Sequence, residues 1–266
     1  MFWVRLRSGI LLMAIMVTAM ILGGYVLFGL LVAVSLVGMY ELYKVYNIEK
    51  TGAAFISYLT AVIIYACVIF DKADYRILVV LGQVLVLMIW YVVRYPKYDY
   101  KQIAIAFIGI FYVAIMISYI YHLRCMEGGA YSVWLIFIGS WGSDTCAYLT
   151  GMTLGKHKLA PVLSPKKSVE GCVGGILGAA LIGLIYALIF RSEIPGSFNP
   201  MIVYPIVGAA CSVISQIGDL AASGIKRQNN IKDYGTLIPG HGGIMDRFDS
   251  VIVTAPIIYF LVHYFV

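Results

Sequence analysis

The segment spanning residues 223–250 concentrates the charged and glycine residues of an otherwise apolar chain. Its acids and bases are Lys226, Arg227, Lys232, Asp233, Asp246, Arg247 and Asp249. Carboxylates can hold a hard cation such as Mg²⁺, and lysine and arginine side chains can hold phosphate. The segment therefore predicts a site at which an anionic substrate meets a cation.

The stretch that leads into this segment, QIGDLAASGIKR at 216–227, predicts a helix with one polar face. Asp219, Ser223 and Lys226 are spaced i, i+4 and i+7, so a helix places all three side chains on the same side. We expect this acid, hydroxyl and base to act together. A purely structural Asp–Lys pair is the alternative.

The end of the segment, PGHGGIMDRFD at 239–249, combines glycines with two acids. Gly242 and Gly243 would let the backbone come close to a ligand, and Asp246 and Asp249 lie one helical turn apart. Together with Asp219, these acids predict a hard cation with oxygen ligands. An acid near a helix N-terminus also favours the helix dipole, which is the alternative for one of them. For His241, a structural role is nearly as well supported as a catalytic one.

Two further segments carry candidate residues. Asp144 lies within an apolar stretch, where a carboxylate costs about 2.5–3.5 kcal/mol at mid-bilayer, so it needs a polar cavity or a partner. The alternatives are a helix cap or a pair with a buried lysine. Tyr148 follows at i+4 on the same predicted face.

The stretch GKHKLAPVLSPKKSVEG at 155–171 is predicted to be a loop stiffened by Pro161 and Pro165. Its hydroxyl and ammonium groups would suit phosphate binding; they belong to Ser164, Lys166, Lys167 and Ser168. A general excess of lysine in cytoplasmic loops is the alternative, and Ser168 could also cap the helix that follows. This loop need not share the ligand of the Asp219 face.

The composition predicts a membrane protein. Of the 266 residues, 62% are hydrophobic and 12% charged, whereas soluble domains are about 25% charged. The five cysteines form no metal-binding or disulfide pattern. We expect an all-α polytopic protein with about nine transmembrane helices. The predicted spans are 9–24, 26–43, 53–70, 76–93, 102–121, 131–151, 171–190, 201–222 and 248–265.

The distribution of lysine and arginine predicts the orientation. With the N-terminus in the cytoplasm, 15 of the 19 basic residues lie on the cytoplasmic side. The net charge of +6 then indicates a basic membrane face, suited to lipid headgroups and anionic substrates, and not a nucleic-acid site. The first apolar run lacks a signal-peptide cleavage pattern, and we interpret it as a retained span.

The chain is predicted to be a single membrane domain over 1–266. Residues 1–130 would supply scaffold spans, and residues 131–266 would supply the spans and cytoplasmic loops that carry the active site. No internal repeat is evident, which weakens a transporter interpretation.

Residues 223–249 resemble the signature of the phosphatidate cytidylyltransferase (CDP-diglyceride synthase) family. That signature reads S-x-apolar-K-R, four residues, K-D, and later H-G-G-apolar-x-D-R-apolar-D, and every fixed position is matched. The upstream SPKKSVEG and QIGDL stretches are also similar to family segments. The resemblance implies a multi-span, dimeric membrane enzyme that uses CTP and Mg²⁺, with Asp219 and Asp246 as the metal-binding acids.

The implied reaction joins phosphatidate to CTP in the cell membrane, with the active site on the cytoplasmic face. The catalytic residues would be Asp219, Lys226, Asp246 and Asp249. The substrate-binding residues would be Asp144, Ser164, Lys166, Lys167, Ser168, Ser223, Arg227, His241, Gly242, Gly243 and Arg247. Asp249 or Asp144 would support the metal or hold a second cation.

Two other functions are compatible with the same residues. A CTP-dependent lipid kinase would use the same substrates but transfer a phosphoryl group. An ion or phosphate transporter would use Asp144 and Asp219 as a coupling site, although the charges cluster at one interface and not at the midplane.

Overall fold

The computed structural model describes residues 2–195 and 198–265, and its regular elements in this range are helices and one short two-stranded sheet. These residues form two compact units. The first comprises the chain up to Tyr121 together with Asp233–Arg247, and the second comprises His122–Lys232 together with the residues from Phe248 onward. The segment 233–247, which the sequence analysis placed with the second part of the chain, thus belongs to the first unit.

The first unit consists of long apolar helices. They are α1 (Phe2–Leu22), α2 (Gly24–Val45), α3 (Gly52–Ile69), α4 (Ala73–Arg94), α5 (Tyr100–Gly109), the π-helical segment Ile110–Ile115 and the first part of α6 (Met116–Cys125). Side-chain caps start two of them. Thr51 accepts a hydrogen bond from the Ala54 N–H at α3, and Asp99 with Gln102 forms a capping box at α5.

The second unit surrounds a glycine-rich helix. Its elements are α7 (Gly129–Ser132), α8 (Trp134–Phe137), the π-helical segment Ile138–Gly142, α9 (Ser143–Leu154), β1 (Lys158–Ala160), β2 (Ser164–Ser168), α10 (Val169–Ile189), α11 (Pro200–Gln228) and most of α12 (Met245–Phe265). Helix α10 packs closely on both α9 and α11. A Cβ atom at Gly175 would lie 3.1 Å from the Ser143 carbonyl oxygen, and one at Gly183 would lie 2.8 Å from that of Tyr204.

Six helices in the described residues are long and apolar enough to cross a membrane. They are Gly24–Val45, Ala73–Arg94, Gly52–Ile69, Tyr100–Cys125, Val169–Ile189 and Pro200–Gln228. Each overlaps one predicted span. The other three predicted spans correspond to α1, to the interrupted stretch from α7 to α9, and to α12, so the count of nine and the N-terminal orientation stay predictions.

The predicted loop at 155–171 is mostly a β-hairpin, which corrects the all-α class in this one place. Strand β1 pairs antiparallel with β2, and the register places Lys158 opposite Ser168 and Ala160 opposite Ser164. The two prolines lie in the turn and at the start of β2, where the missing N–H does not interrupt the pairing. The residues between α9 and α10 thus form a short hairpin in place of the predicted loop.

Candidate active site

A cavity of about 400 Å³ lies inside the second unit, between α9, β2, α10 and α11. Its polar lining residues are Asp144, Tyr148, Lys166, Lys167, Ser168, Gln216 and Asp219. The cavity therefore brings together residues from three of the segments that the sequence analysis selected separately. Two acids, two lysines and two hydroxyl groups share one cavity, which can accept an anionic ligand or a cation.

Asp144 enters the cavity from the first turn of α9, immediately after the π-helical segment Ile138–Gly142. Such π-helical turns occur frequently at functional sites. Tyr148 lines the same cavity, as the i, i+4 spacing predicted. Gly142, which precedes α9, is itself in the right-handed helical conformation, so Asp144 does not lie at a free helix N-terminus and does not cap a half-helix.

The hairpin supplies the basic side of the cavity. Lys166 is exposed and Lys167 is half-buried, and both line the cavity. Ser168 caps α10, since its hydroxyl oxygen accepts a hydrogen bond from the Gly171 N–H at 3.1 Å. This confirms the capping alternative, although Ser168 also lines the cavity. Ser164 pairs with Ala160 near the hairpin turn and is not among the lining residues.

Helix α11 presents the polar face that its spacing predicted. Ser223 and Lys226 are both buried, each with 8% of its surface exposed, and Asp219 is half-buried. The same face continues toward the helix start with Gln216, whose amide donates to the Ser212 hydroxyl at 3.2 Å. A continuous polar stripe therefore runs along the last four turns of α11.

Lys167 and Asp219 form an ion pair between the hairpin and α11. The sequence analysis left open whether the hairpin lysines share a ligand with the Asp219 face. The ion pair brings Lys167 to Asp219, because the chain fold between α9 and α10 returns β2 to the side of α11. A ligand phosphate at Asp219 would meet Lys167 as well.

Asp249 is a third acid near Asp144 and Asp219 in this unit. It is buried near the start of α12 and interacts electrostatically with Asp219, Lys226 and Asp144. Helices α11 and α12 come close here, since a Cβ atom at Gly218 would lie 3.0 Å from the Asp249 carbonyl oxygen. Two further carboxylates and the Lys226 ammonium group are thus within electrostatic range of Asp249.

The predicted phosphate ligand Arg227 lies differently from Lys226. Its side chain is exposed and makes long hydrogen bonds to backbone carbonyls, 3.5 Å to Leu163 in the hairpin turn and 3.4 Å to Ile231. These contacts connect the end of α11 with the hairpin turn. An arginine held only by long, exposed contacts can turn toward an anionic ligand at little cost.

The remaining signature residues form a compact loop in the first unit. The Ile238 N–H donates to the Gly242 carbonyl at 2.8 Å, which closes a tight turn around His241. Gly242 has φ +82°, a conformation that other residues rarely adopt. His241 itself lies 2.9 Å from the Ser8 hydroxyl, measured at Nδ1, so it is tied to α1.

Asp246 anchors this loop through one carboxylate oxygen. Its Oδ2 accepts hydrogen bonds from the Tyr234 N–H at 2.8 Å and from the Gly243 N–H at 3.0 Å. Asp246 is buried, and Arg247, the next residue, is half-buried. A carboxylate has about four acceptor positions, so two N–H donors do not by themselves exclude a cation ligand role.

The donor chemistry of these residues fits a hard divalent cation. Within the described parts of the chain, no three His, Cys, Asp or Glu side chains form a metal-binding group. Mg²⁺ does not require one, because it typically uses one or two carboxylates and completes its shell with water and substrate phosphate. Asp219 already attracts an ammonium group, that of Lys167, so its surroundings favour positive charge.

Three residues with evident contacts were missed or assigned a minor role. Glu41 is not among the predicted site residues, yet its carboxylate accepts hydrogen bonds from the signature loop. Gln216 is one turn before Asp219 on the same face, and that spacing could have found it. Glu170 accepts hydrogen bonds from the Lys156 and His157 N–H groups, a contact that depends on the unpredicted hairpin.

Comparison with known proteins assigns a family to this arrangement. The chain matches the cytidylyltransferase family over residues 3–265. It is 30% identical to the phosphatidate cytidylyltransferase of Bacillus subtilis (strain 168), covering 98% of this chain and 97% of that protein. It is 37% identical to the protein of the same name from Rickettsia prowazekii (strain Madrid E), over 71% of this chain and 81% of that one. The chain therefore belongs to the cytidylyltransferase family.

Proposed function

We propose that this chain catalyses the reaction of CTP with phosphatidate to give CDP-diacylglycerol and diphosphate, a step of phospholipid biosynthesis. The observation that carries the proposal is the cavity in which Asp144, Asp219, Lys166 and Lys167 meet. Family membership supports it, as do the apolar helices, which would keep the enzyme in contact with a membrane-held lipid.

In this reaction a phosphate oxygen of phosphatidate attacks the α-phosphorus of CTP, and the bond to the β-phosphate breaks as diphosphate leaves. A phosphate monoester has a second pKa of about 6, so the attacking oxygen is mostly ionised at pH 7. A strong general base is therefore unnecessary. The harder task is to bring two polyanions together and to stabilise the diphosphate that departs.

The lysines of the second unit suit that task. Lys166 and Lys167 line the cavity, and Lys226 is buried within electrostatic range of Asp249. We assign Lys226 to the phosphates that react, and Lys166 to the binding of one substrate. Ser168 and Ser223 supply hydroxyl groups, while Arg227 and Arg247 are further phosphate ligands in this proposal.

We assign Asp219 and Asp246 to a bound Mg²⁺, with Asp249 or Asp144 supporting it or holding a second cation. The support is the donor chemistry: Asp219 attracts positive charge in its own unit, and Asp246 is a buried carboxylate in the signature loop. When bound, the cation would neutralise charge on the triphosphate and on the departing diphosphate.

The decisive experiment is mass spectrometry of the lipid product after the purified protein is incubated with CTP, Mg²⁺ and phosphatidate. CDP-diacylglycerol is the expected product. A diphosphorylated lipid together with CDP would show phosphoryl transfer and contradict the proposal. Uptake of phosphate or an ion into sealed liposomes without CTP, with no lipid product, would instead support a transporter.

Two further features of the proposal concern the assembly. We place the N-terminus and the active site on the cytoplasmic side of the cell membrane, because 15 of the 19 basic residues then lie there. We also expect a homodimer, on the resemblance of the signature to the family. Light scattering of the protein in detergent, corrected for bound detergent, should give twice the monomer mass of 29.3 kDa.

A further inference from the structure

Glu41 is a buried acid of α2 that contacts the signature loop. Only 4% of its surface is exposed. Its Oε1 accepts a hydrogen bond from the Ile244 N–H at 3.1 Å, and its Oε2 accepts one from the Met245 N–H at 2.9 Å. Helix α12 begins at Met245, and the first N–H groups of a helix have no partner within it. The Glu41 carboxylate supplies two of those partners, one with each oxygen.

Two glycines make room for this carboxylate. A Cβ atom at Gly243 would lie 2.3 Å from both Glu41 oxygens, and one at Gly235 would lie 2.4 Å from Oε1. Real Cβ contacts are essentially never shorter than 3.0 Å, so a larger residue at either position would displace Glu41 or the loop. The contact with Glu41, about 200 positions earlier in the chain, therefore explains why the second glycine of the H-G-G signature, Gly243, carries no side chain.

The same loop residue that packs against Glu41 also holds Asp246. The Gly243 N–H donates to Asp246 Oδ2, while the Gly243 Cα lies against the Glu41 carboxylate. Any movement of the loop away from Glu41 must change the direction of that N–H. The orientation of the Asp246 carboxylate is thus coupled to Glu41 through Gly243 and the start of α12.

Helix α2 is a firm support for this contact. Two residues after Glu41, the hydroxyl of the fully buried Tyr43 donates to the Ala106 carbonyl at 2.6 Å. One turn before Glu41, Gly38 lies in close contact with Val113 and Met245, since a Cβ atom there would be 3.0 Å and 3.4 Å from their side chains. Glu41 therefore projects from a helix that is packed on both sides of it.

We infer that Glu41 is a positioning residue for the active site: it fixes the start of α12 and, through Gly243, the direction of the Asp246 carboxylate. Glu41 contacts the loop backbone and is not itself assigned to substrate or cation. The inference rests on the proposed role of Asp246 as a cation ligand.

The test measures Mn²⁺ binding by electron paramagnetic resonance, with no nucleotide present, together with thermal unfolding. In Glu41→Gln one carboxylate oxygen is replaced by an NH₂ group that cannot accept a hydrogen bond. We expect the Mn²⁺ Kd to rise at least ~10-fold, comparable with the loss of a supporting hydrogen bond around a metal ligand. The midpoint of unfolding should stay close to that of the wild type, and Glu49→Gln, a half-exposed acid of the same unit, should change neither quantity.

A second variant disturbs the contact between Glu41 and the signature loop without altering Glu41. Gly235→Ala places a Cβ against the carboxylate and should raise the Mn²⁺ Kd in the same way. Gly29→Ala is its matched control, because nothing lies within 4 Å of a Cβ at that position of α2. This pair keeps the inference testable if Glu41→Gln does not fold.

Asp246→Asn separates this inference from the metal assignment. If Asp246→Asn weakens Mn²⁺ binding and neither Glu41→Gln nor Gly235→Ala does, the positioning role of Glu41 is overturned and the metal assignment stands. If Asp246→Asn leaves Mn²⁺ binding unchanged, both are overturned. A rise in Kd in all three variants, with the Glu41→Gln/Asp246→Asn double variant no weaker than Asp246→Asn alone, supports the inference.

Discussion

The ammonium group of Lys167 forms an ion pair with the carboxylate of Asp219 inside the cavity of the second unit. Both side chains are about a quarter exposed. The pair joins the hairpin to α11, two segments that are separated by the whole of α10. The pair shows that the Asp219 carboxylate attracts positive charge and that β2 places the Lys167 ammonium group beside it.

Asp219→Asn should lower kcat for CDP-diacylglycerol formation by at least ~10²-fold, comparable with the loss of one strong electrostatic contact to the reacting groups. The substitution keeps the shape of the side chain and removes the charge that attracts Lys167 and the proposed cation. Turnover of purified protein in detergent is the measurement, and circular dichroism checks the fold. Asp71→Asn, at an exposed turn, is the control, and equal turnover of the two variants would contradict the assignment.

Lys226 and Lys166 should affect different kinetic constants. Lys226 is buried within electrostatic range of Asp249, so Lys226→Met should lower kcat strongly, because it removes charge that acts on the transition state. Lys166 is exposed at the cavity, so Lys166→Ala should chiefly raise the KM of one substrate.

Steady-state kinetics with CTP and phosphatidate varied separately would measure both effects. Lys158→Ala is the control, because Lys158 is exposed on β1 and does not line the cavity. If Lys166→Ala lowers kcat as much as Lys226→Met and leaves both KM values unchanged, the two lysines act on one transition state and their separation is wrong.

Helical spacing predicted the parts of the site that lie on single helices. The polar face of α11 and the shared face of Asp144 and Tyr148 follow from the 3.6-residue period. The hairpin did not follow, because its strands are short and lack an alternating apolar pattern, and prolines lie in its turn and in β2. Six of nine predicted spans coincide with long apolar helices. These spans could be predicted because the hydropathy of a long segment depends on its composition alone.

Contacts between distant segments could not be predicted in the same way. Glu41 and Met245 are separated by 204 positions, and nothing local to either residue indicates the other. The sequence did offer one signal, since Glu41 is the only acid within the predicted span 26–43. An acid in such a span is a functional candidate by default, and the nearby Lys44, which interacts electrostatically with Glu41, supplied a simpler local explanation.

Glu170→Gln should loosen the hairpin and weaken substrate binding more than turnover. The carboxylate of Glu170 accepts hydrogen bonds from the Lys156 N–H at 3.0 Å and the His157 N–H at 3.2 Å, and it lies 2.6 Å from His157 Nδ1. These contacts hold the entry to β1 against the start of α10, and so fix the strand that pairs with β2.

Two measurements would check the Glu170 prediction. The KM of one substrate should rise several-fold with a smaller change in kcat, and limited trypsin digestion should cleave at Lys158 faster than in the wild type. Glu127→Gln, an exposed acid outside the hairpin, should change neither. Unchanged cleavage together with unchanged KM would show that the hairpin does not depend on Glu170.

The orientation of the chain can be tested at the same hairpin. The distribution of basic residues predicts that the loops at 152–170 and 224–247 face the cytoplasm, and that Lys72 and Arg191 lie outside. In a variant whose five native cysteines are replaced, single cysteines at Lys158 and Gln228 should resist an impermeant thiol reagent in intact cells and react after lysis. Both positions are exposed, as are Lys72 and Arg191, so burial would not explain a difference. Cysteines at Lys72 and Arg191 should react before lysis; labelling of Lys158→Cys in intact cells would reverse the predicted orientation and move the candidate site to the outer face.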